Sequence, residues 1–184
     1  MKKFELEIVQ DNYPNNPRHD DNVTTMVCFH KRYELGDKTD YRSDDYHSWD
    51  EMKEQIEKDN NVLMIKPLYM YDHSGITIST SSFSCQWDSG QIGWIFIDKK
   101  QLTDMCGAGT YTDKELDEWI EGEVDTYDKY LTGDVWGYNV YEIVTCDKGH
   151  EHKELVESCY GYYGHDECEE MGKSILEHTQ KEVV

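Results

Sequence analysis

The chain reads as an α+β protein: an antiparallel sheet with two or three amphipathic helices packed on it. Three observations predict this class. Period-two alternation opens the chain, with Phe4, Leu6 and Ile8 against Lys3, Glu5 and Glu7, the pattern of a half-buried strand. Apolar residues return at helical spacing over 113–131 and again over 165–178. Strand-like runs outnumber helical ones and fall in neighbouring pairs, which favours antiparallel pairing.

The elements follow in order. Residues 3–9 form the first strand, and a turn-rich stretch over 11–21 holds two of the three prolines. Residues 23–30 form a second strand, and the polar, acidic segment 34–47 reads as a loop. Ser48 with Glu51 makes a capping box for a short helix over 49–58, with Trp49, Met52 and Ile56 on one face. Residues 62–72 and 75–80 read as strands around an Asp72-His73-Ser74-Gly75 turn, and 92–97 as another. Thr112 with Glu115 caps the longest helix, 113–131, whose apolar stripe is Leu116, Trp119, Ile120, Val124, Tyr127 and Leu131. Gly133 ends it. Residues 135–144 and 154–162 read as a hairpin across a Cys146–His152 loop. The last helix, 165–178, turns Cys168, Met171 and Ile175 inward, and its early acids suit the helix dipole.

Length and composition set the outer limits. At 184 residues a single domain over 1–184 is expected, burying roughly 70% of its unfolded surface without staples. Five Trp and fourteen Tyr exclude a chain disordered throughout. Thirty-nine acids against eighteen bases give a formal charge of −21. The charge is uneven. Residues 1–33 are neutral and 62–112 carry −1, whereas 34–61 carry −6 and 113–184 carry −14. Such a field repels nucleic acid and membrane surfaces and suits a basic partner. Charged residues run through the first seven (Lys2, Lys3, Glu5 and Glu7), with no apolar core of a signal peptide. No apolar run approaches the ~20 residues of a membrane span. The expected location is cytoplasmic, with the six Cys as free thiols.

Four kinds of chemistry are weighed. For a metal, Cys28 and His30 share a strand face and Cys146, His150 and His152 share a loop. The tight Cys/His pairs of structural zinc are missing, so neither metal nor cofactor is expected. For nucleophilic catalysis, Cys85 or Ser74 is the candidate nucleophile, His73 or His30 the base, and Asp72 or Asp88 the orienting acid. The dense polar stretch from Phe83 to Gln91 departs from the GxSxG elbow; the plain alternative is a turn-forming loop whose Trp packs. For phosphate binding, Cys106-Gly107-Ala108-Gly109-Thr110 lacks the Lys of a P-loop. For direct nucleic-acid binding the bases are too scattered, although Arg18, His30, Lys31 and Arg32 form a local basic spot in the neutral N-terminal segment.

The acidic helix is the strongest charged feature. Eight carboxylates against Lys114 in 113–128 lie along roughly 24 Å of helix. That is about one net charge per 3.4 Å, the spacing of one DNA strand. The plain alternative is a solvated helix face. The contact residues expected here are Glu115, Glu118, Glu121, Asp125 and Asp128.

Three stretches resemble a family of small acidic proteins spread across phages and other mobile elements. The first runs Asn16-Pro17-Arg18, Asp21-Asn22, Thr25-Met26-Val27-Cys28-Phe29-His30, Arg32-Tyr33 and Leu35-Gly36-Asp37. The second is Pro67-Leu68-Tyr69, then Asp72-His73-Ser74-Gly75-Ile76-Thr77-Ile78-Ser79-Thr80, Phe83-Ser84-Cys85 and Trp87-Asp88-Ser89-Gly90-Gln91-Ile92-Gly93. The third joins Val135-Trp136-Gly137-Tyr138 to Ser158-Cys159-Tyr160-Gly161-Tyr162-Tyr163-Gly164. The resemblance spans about residues 16–170 and carries no enzymatic mechanism with it. It implies a mobile-element origin and a role in countering host defence, with inhibitors of type II CRISPR effectors as the nearest functional analogy. The expected partner is then a host defence nuclease with a basic nucleic-acid channel, where acidic residues compete with guide RNA or target DNA. Two alternatives stand beside it: an enzyme, a hydrolase or nuclease, acting through His73, Cys85 and Asp88, and a DNA-mimic inhibitor of restriction enzymes. The first two motifs lie in the near-neutral segments 16–37 and 67–93, which places a specific pocket or contact loop beside the acidic surface.

Overall fold

A computed structural model describes residues 2–182 of the chain. In chain order the elements are β1 (Lys3–Gln10), β2 (Thr25–Cys28), α1 (Trp49–Asp59), β3 (Val62–Asp72), β4 (Ile76–Ser79), β5 (Ser89–Asp98), α2 (Lys99–Cys106), α3 (Asp113–Thr132), β6 (Val135–Thr145), β7 (Glu151–Tyr163) and α4 (His165–Glu182), with short 3-10 turns at Pro17–His19 and Ser43–Asp45. The class is α+β with antiparallel pairing throughout. Where one sheet was expected there are two, of order β1-β6-β7 and β2-β5-β3-β4. The chain divides into two compact units. Asn16–Thr132 forms one, and Met1–Asn15 with Gly133–Val184 forms the other.

The unit Asn16–Thr132 is built around β5. Its side chains alternate between two cores, as strand geometry demands. Ile95 and Ile97 join Met26, Leu68, Met70 and the α3 stripe Leu116, Ile120, Val124 and Tyr127. Trp94 and Phe96 join Val27 with Met52 and Ile56 of α1. Both faces of the sheet are therefore covered by helices, and six consecutive residues of β5, from Ile92 to Ile97, are buried. Gly93 is required by this packing: a Cβ there would lie 1.8 Å from the Val27 carbonyl oxygen of the paired strand.

One capping box closes as the sequence predicts: Glu115 N–H donates to Thr112 Oγ1 at 3.3 Å while its carboxylate accepts from Thr112 N–H. At the other, Glu51 N–H donates to Ser48 Oγ at 3.1 Å, but the Glu51 carboxylate reaches one residue further back and accepts from His47 N–H at 2.7 Å. Helix α2 is unexpected. Asp98 caps it by accepting from Lys100 and Gln101 N–H, but Leu102 is its one fully buried side chain. One buried residue in eight gives too little periodicity to read. β5 also starts at Ser89, three residues before the strand expected at 92.

The second unit lays α4 on a three-stranded sheet. Tyr138, Val140 and Cys168 are its buried centre, with Phe4, Leu6, Ile8, Trp136, Tyr162 and Ile175 packed around them. Met171, expected to face inward, is 44% exposed. β7 is an edge strand, and residues 151–161 along it are all exposed.

Candidate functional site

The two motif-rich segments meet in the larger unit. The first is organised by Arg18. Asn16 Oδ1 accepts from Arg18 N–H at 2.9 Å and Pro17 opens a 3-10 turn, which turns the guanidinium inward until its side chain is 2% exposed. Asp37 accepts from Arg18 Nε and Nη2 at 2.9 and 2.7 Å, a bidentate fork. Glu123 of α3 accepts from Nη1 at 2.7 Å, and the Thr24 carbonyl accepts from Nη2 at 2.9 Å. The two carboxylates do further duty. Asp37 accepts from Met26 N–H at 2.7 Å, and Glu123 accepts from Val23 N–H at 2.8 Å and from the Thr24 hydroxyl. Gly36, at φ +72° and with Met26 O 2.7 Å from where a Cβ would sit, makes the turn that delivers Asp37.

Beside this network lies a cleft of about 1150 Å³, lined by residues between Arg18 and Trp49. Its walls include His19, Phe29, His30, Lys31, Tyr33, Glu34, Lys38 and Trp49. His30 stacks on Tyr33 with centroids 5.0 Å apart and planes 11° from parallel. Cys28 lies at its edge, where burial, with the Asp37 charge behind it, pushes the thiol up to about 12. That thiol stays protonated at neutral pH and is no nucleophile.

The second segment joins the first through Asp72, which pairs with Arg32 and accepts from the Tyr33 hydroxyl at 3.5 Å. Next to it His73, Cys85 and Asp88 come together. His73 Nδ1 lies 3.2 Å from Asp88 Oδ2, and Cys85 Sγ–H donates to the same oxygen at 3.7 Å. The loop is fixed by its backbone: Asp72 N–H donates to Asp88 O at 2.8 Å, and Ser89 Oγ donates to Cys85 O at 2.5 Å. Ser74 holds φ +61° in the turn that presents His73. The carboxylate stands between thiol and imidazole, whereas a nucleophilic triad needs the imidazole in the middle. Trp87 does not pack. It is 95% exposed on this loop.

The acids of α3 are engaged more than a solvated face requires. Glu115 closes its capping box, which holds its carboxyl below the usual carboxylate range. Glu118 pairs with Lys114 at 3.4 Å, and Asp125 with Lys129 at 2.9 Å. Asp117 and Glu121 share Lys66 of β3, and Glu121 also accepts from the Thr80 hydroxyl. Asp128 accepts from Thr77 Oγ1 at 2.6 Å and Ile78 N–H at 2.7 Å, securing edge strand β4. Four cations, Arg18, Lys66, Lys114 and Lys129, thus touch five of its eight carboxylates. The net density falls to about one charge per 6 Å of helix, below that of a DNA strand. Of the five expected contact residues, Glu118 and Asp125 keep exposed carboxylates held by lysines of their own helix alone, while Glu121 and Asp128 serve the fold.

The basic spot changes membership. Arg18 and Arg32 are consumed by ion pairs, His30 and Lys31 remain, and His19 and Lys38 join them at the cleft. Nothing in the local sequence marks Lys38 or His19, because the turn around Gly36 brings the first there and the 3-10 turn at Pro17–His19 the second. Among the described residues no three His, Cys, Asp or Glu side chains are placed to hold a metal ion, and no helix is long and apolar enough to cross a membrane. No family model, curated protein or solved structure matches the chain.

Proposed function

We propose that the chain is an anti-defence binding protein that engages the basic nucleic-acid channel of a host effector, an RNA-guided nuclease being the class to which the motif resemblance points. The observation that carries a binding role is Trp87, 95% exposed on a loop whose backbone is otherwise tied down. Tryptophan is enriched among residues that anchor protein interfaces. The acids have a different part. Asn16–Thr132 carries 24 acids against 12 bases, and the remaining residues carry 15 against 6, so both units present excess negative charge. That field accelerates encounter with a basic groove, and Trp87 holds what the field delivers. Glu118 and Asp125, themselves exposed, exchange their i,i+4 lysines for partner bases at little loss, since such pairs are worth about 0.3–0.5 kcal/mol.

Titration against a purified, guide-loaded type II effector at rising salt tests this, with a restriction endonuclease run in parallel to separate the two target classes. Charge reversal by Glu118→Lys with Asp125→Lys is expected to slow association and flatten the salt dependence, whereas Trp87→Ala speeds dissociation at every salt concentration. Tight binding that ignores salt and survives both changes removes the proposal. A second reading, a hydrolase or nuclease acting on a defence component through His73, Cys85 and Asp88, has the proximity of the three side chains for it and the central place of Asp88 against it. Sub-stoichiometric inhibition that His73→Ala abolishes supports that reading, and a strict requirement for one protein per target excludes it.

A further inference from the structure

The cleft beside Arg18 is out of keeping with the charge of the chain. Arg18 and Asp37 neutralise each other within its wall. The charged groups left facing it are Lys31 and Lys38, with His19 and His30, against the single carboxylate of Glu34. Lys31 and Lys38 make no ion pair among the described residues, and neither do Lys3, Lys99, Lys100 and Lys148, but of these six Lys31 and Lys38 are the two that line one cleft. Two unpaired ammonium groups on one cleft make a local site for an anion within a negative protein.

Much of the remaining lining is aromatic. Phe29, Tyr33 and Trp49 line the cleft; His30 lies flat on Tyr33, and the Arg32 guanidinium also stands over the Tyr33 ring, 5.4 Å from its centroid. The rings left to accept a further ring by offset stacking are those of His30 and Trp49. The volume, about 1150 Å³, lies just above the roughly 300–1,000 Å³ typical of small-ligand clefts. A nucleic-acid strand would meet the acids of α1 and of the 3-10 turn at Ser43–Asp45, whereas a small dianion within the cleft meets two lysines against the one carboxylate of Glu34.

We propose that this cleft binds a small organic phosphate bearing an aromatic ring, the chemistry of a mononucleotide. The phosphate takes the ammonium groups of Lys31 and Lys38, and the ring takes the His30 and Trp49 side. The role is binding: the protonated Cys28 thiol supplies no nucleophile. The site stands apart from the anti-defence reading, and neither depends on the other.

Isothermal titration calorimetry of the full chain tests it, with the four ribonucleoside 5′-monophosphates as probes and adenosine and inorganic phosphate as the two halves. At least one mononucleotide is expected to bind more tightly than both halves. The exposed double variant Lys31→Ala/Lys38→Ala is expected to weaken it by about tenfold or more, as lost charge-assisted contacts imply, with the circular dichroism spectrum unchanged. Lys99→Ala/Lys100→Ala, which removes two exposed lysines outside the cleft lining, leaves affinity unchanged. The proposal is overturned if no mononucleotide gives a heat of binding, if inorganic phosphate binds as tightly as the nucleotides, or if both double variants weaken binding equally.

Discussion

The two units share an excess of acid but differ in what they bury. The larger, Asn16–Thr132, covers its sheet on both faces, with α1 on one side and α3 on the other. The smaller covers its three-stranded sheet with α4 and leaves residues 151–161 of β7 exposed. A strand covered twice becomes a continuous apolar run like Ile92–Ile97, and one covered little keeps charged residues along its length. The difference extends to ionic groups. The larger unit buries an arginine between two carboxylates, whereas the ion pair of Lys153 with Glu5 in the smaller is 43% and 47% exposed. Charge therefore does not separate the two units. Where the ions are placed does, and the buried ones coincide with the motifs at Arg18 and Asp37.

Removing the buried cation gives the largest expected break in that comparison. Arg18→Met leaves Asp37 and Glu123 without their shared partner in a poorly solvated site, which costs about 3–5 kcal/mol. Urea unfolding followed by tryptophan fluorescence measures it well, because four of the five tryptophans lie in Asn16–Thr132. Lys153→Met in the smaller unit is expected to leave its stability nearly unchanged, as exposed pairs contribute little. Equal losses from both variants would show that burial of the ions is not what distinguishes the units.

A smaller effect separates acids that serve the fold from acids free to meet a partner, within α3 itself. Asp128→Ala strands the Thr77 hydroxyl and the Ile78 N–H, a loss of about 1.5–3 kcal/mol. It also removes hydrogen-exchange protection from the Ile78 amide. Glu118→Gln, whose one recorded partner is the exposed Lys114, is expected to leave the unfolding midpoint where it was. If both substitutions destabilise alike, the helix carries one continuous structural network and its outer acids are not held in reserve.

Much of the fold was legible because single residues signal it. The stripe Leu116, Ile120, Val124 and Tyr127 announces α3, and all four are buried. The division into two units was not legible, because it depends on β1 leaving its neighbours in sequence to pair with β6, more than 120 residues on. The site divides in the same way. His73, Cys85 and Asp88 flank one pair of strands, so their proximity was readable, but the central place of Asp88 depends on how the loop closes. Glu123 carries no local mark among eight similar acids. Its pairing with Arg18, 105 residues away, arises from the packing of α3 on the sheet.

The thiols give the finest comparison between the units. Burial, with the Asp37 charge behind it, raises Cys28 from about 9 to about 12. The unfolded thiol therefore loses its proton from about pH 9 upward, while the folded one keeps it until about pH 12. Above pH 9 the unfolded state binds fewer protons, so the stability held below that pH is lost as pH rises through this window. By pH 10 the loss is about 1.4 kcal/mol. The stability of the wild type is expected to fall between pH 8 and 10 by that much more than that of Cys28→Val, and parallel profiles would place the thiol in contact with water. In the smaller unit the exposed Cys146 is shifted the other way, lowered by hydrogen bonds from the Lys148 and His150 N–H groups. An aromatic disulfide reagent at neutral pH is expected to label Cys146 early and Cys28 late, since reactivity follows the thiolate and its exposure. Early labelling of Cys28 would mean that the wall of the cleft opens, and that the larger unit is less closed around its buried ions than the smaller is around Cys168.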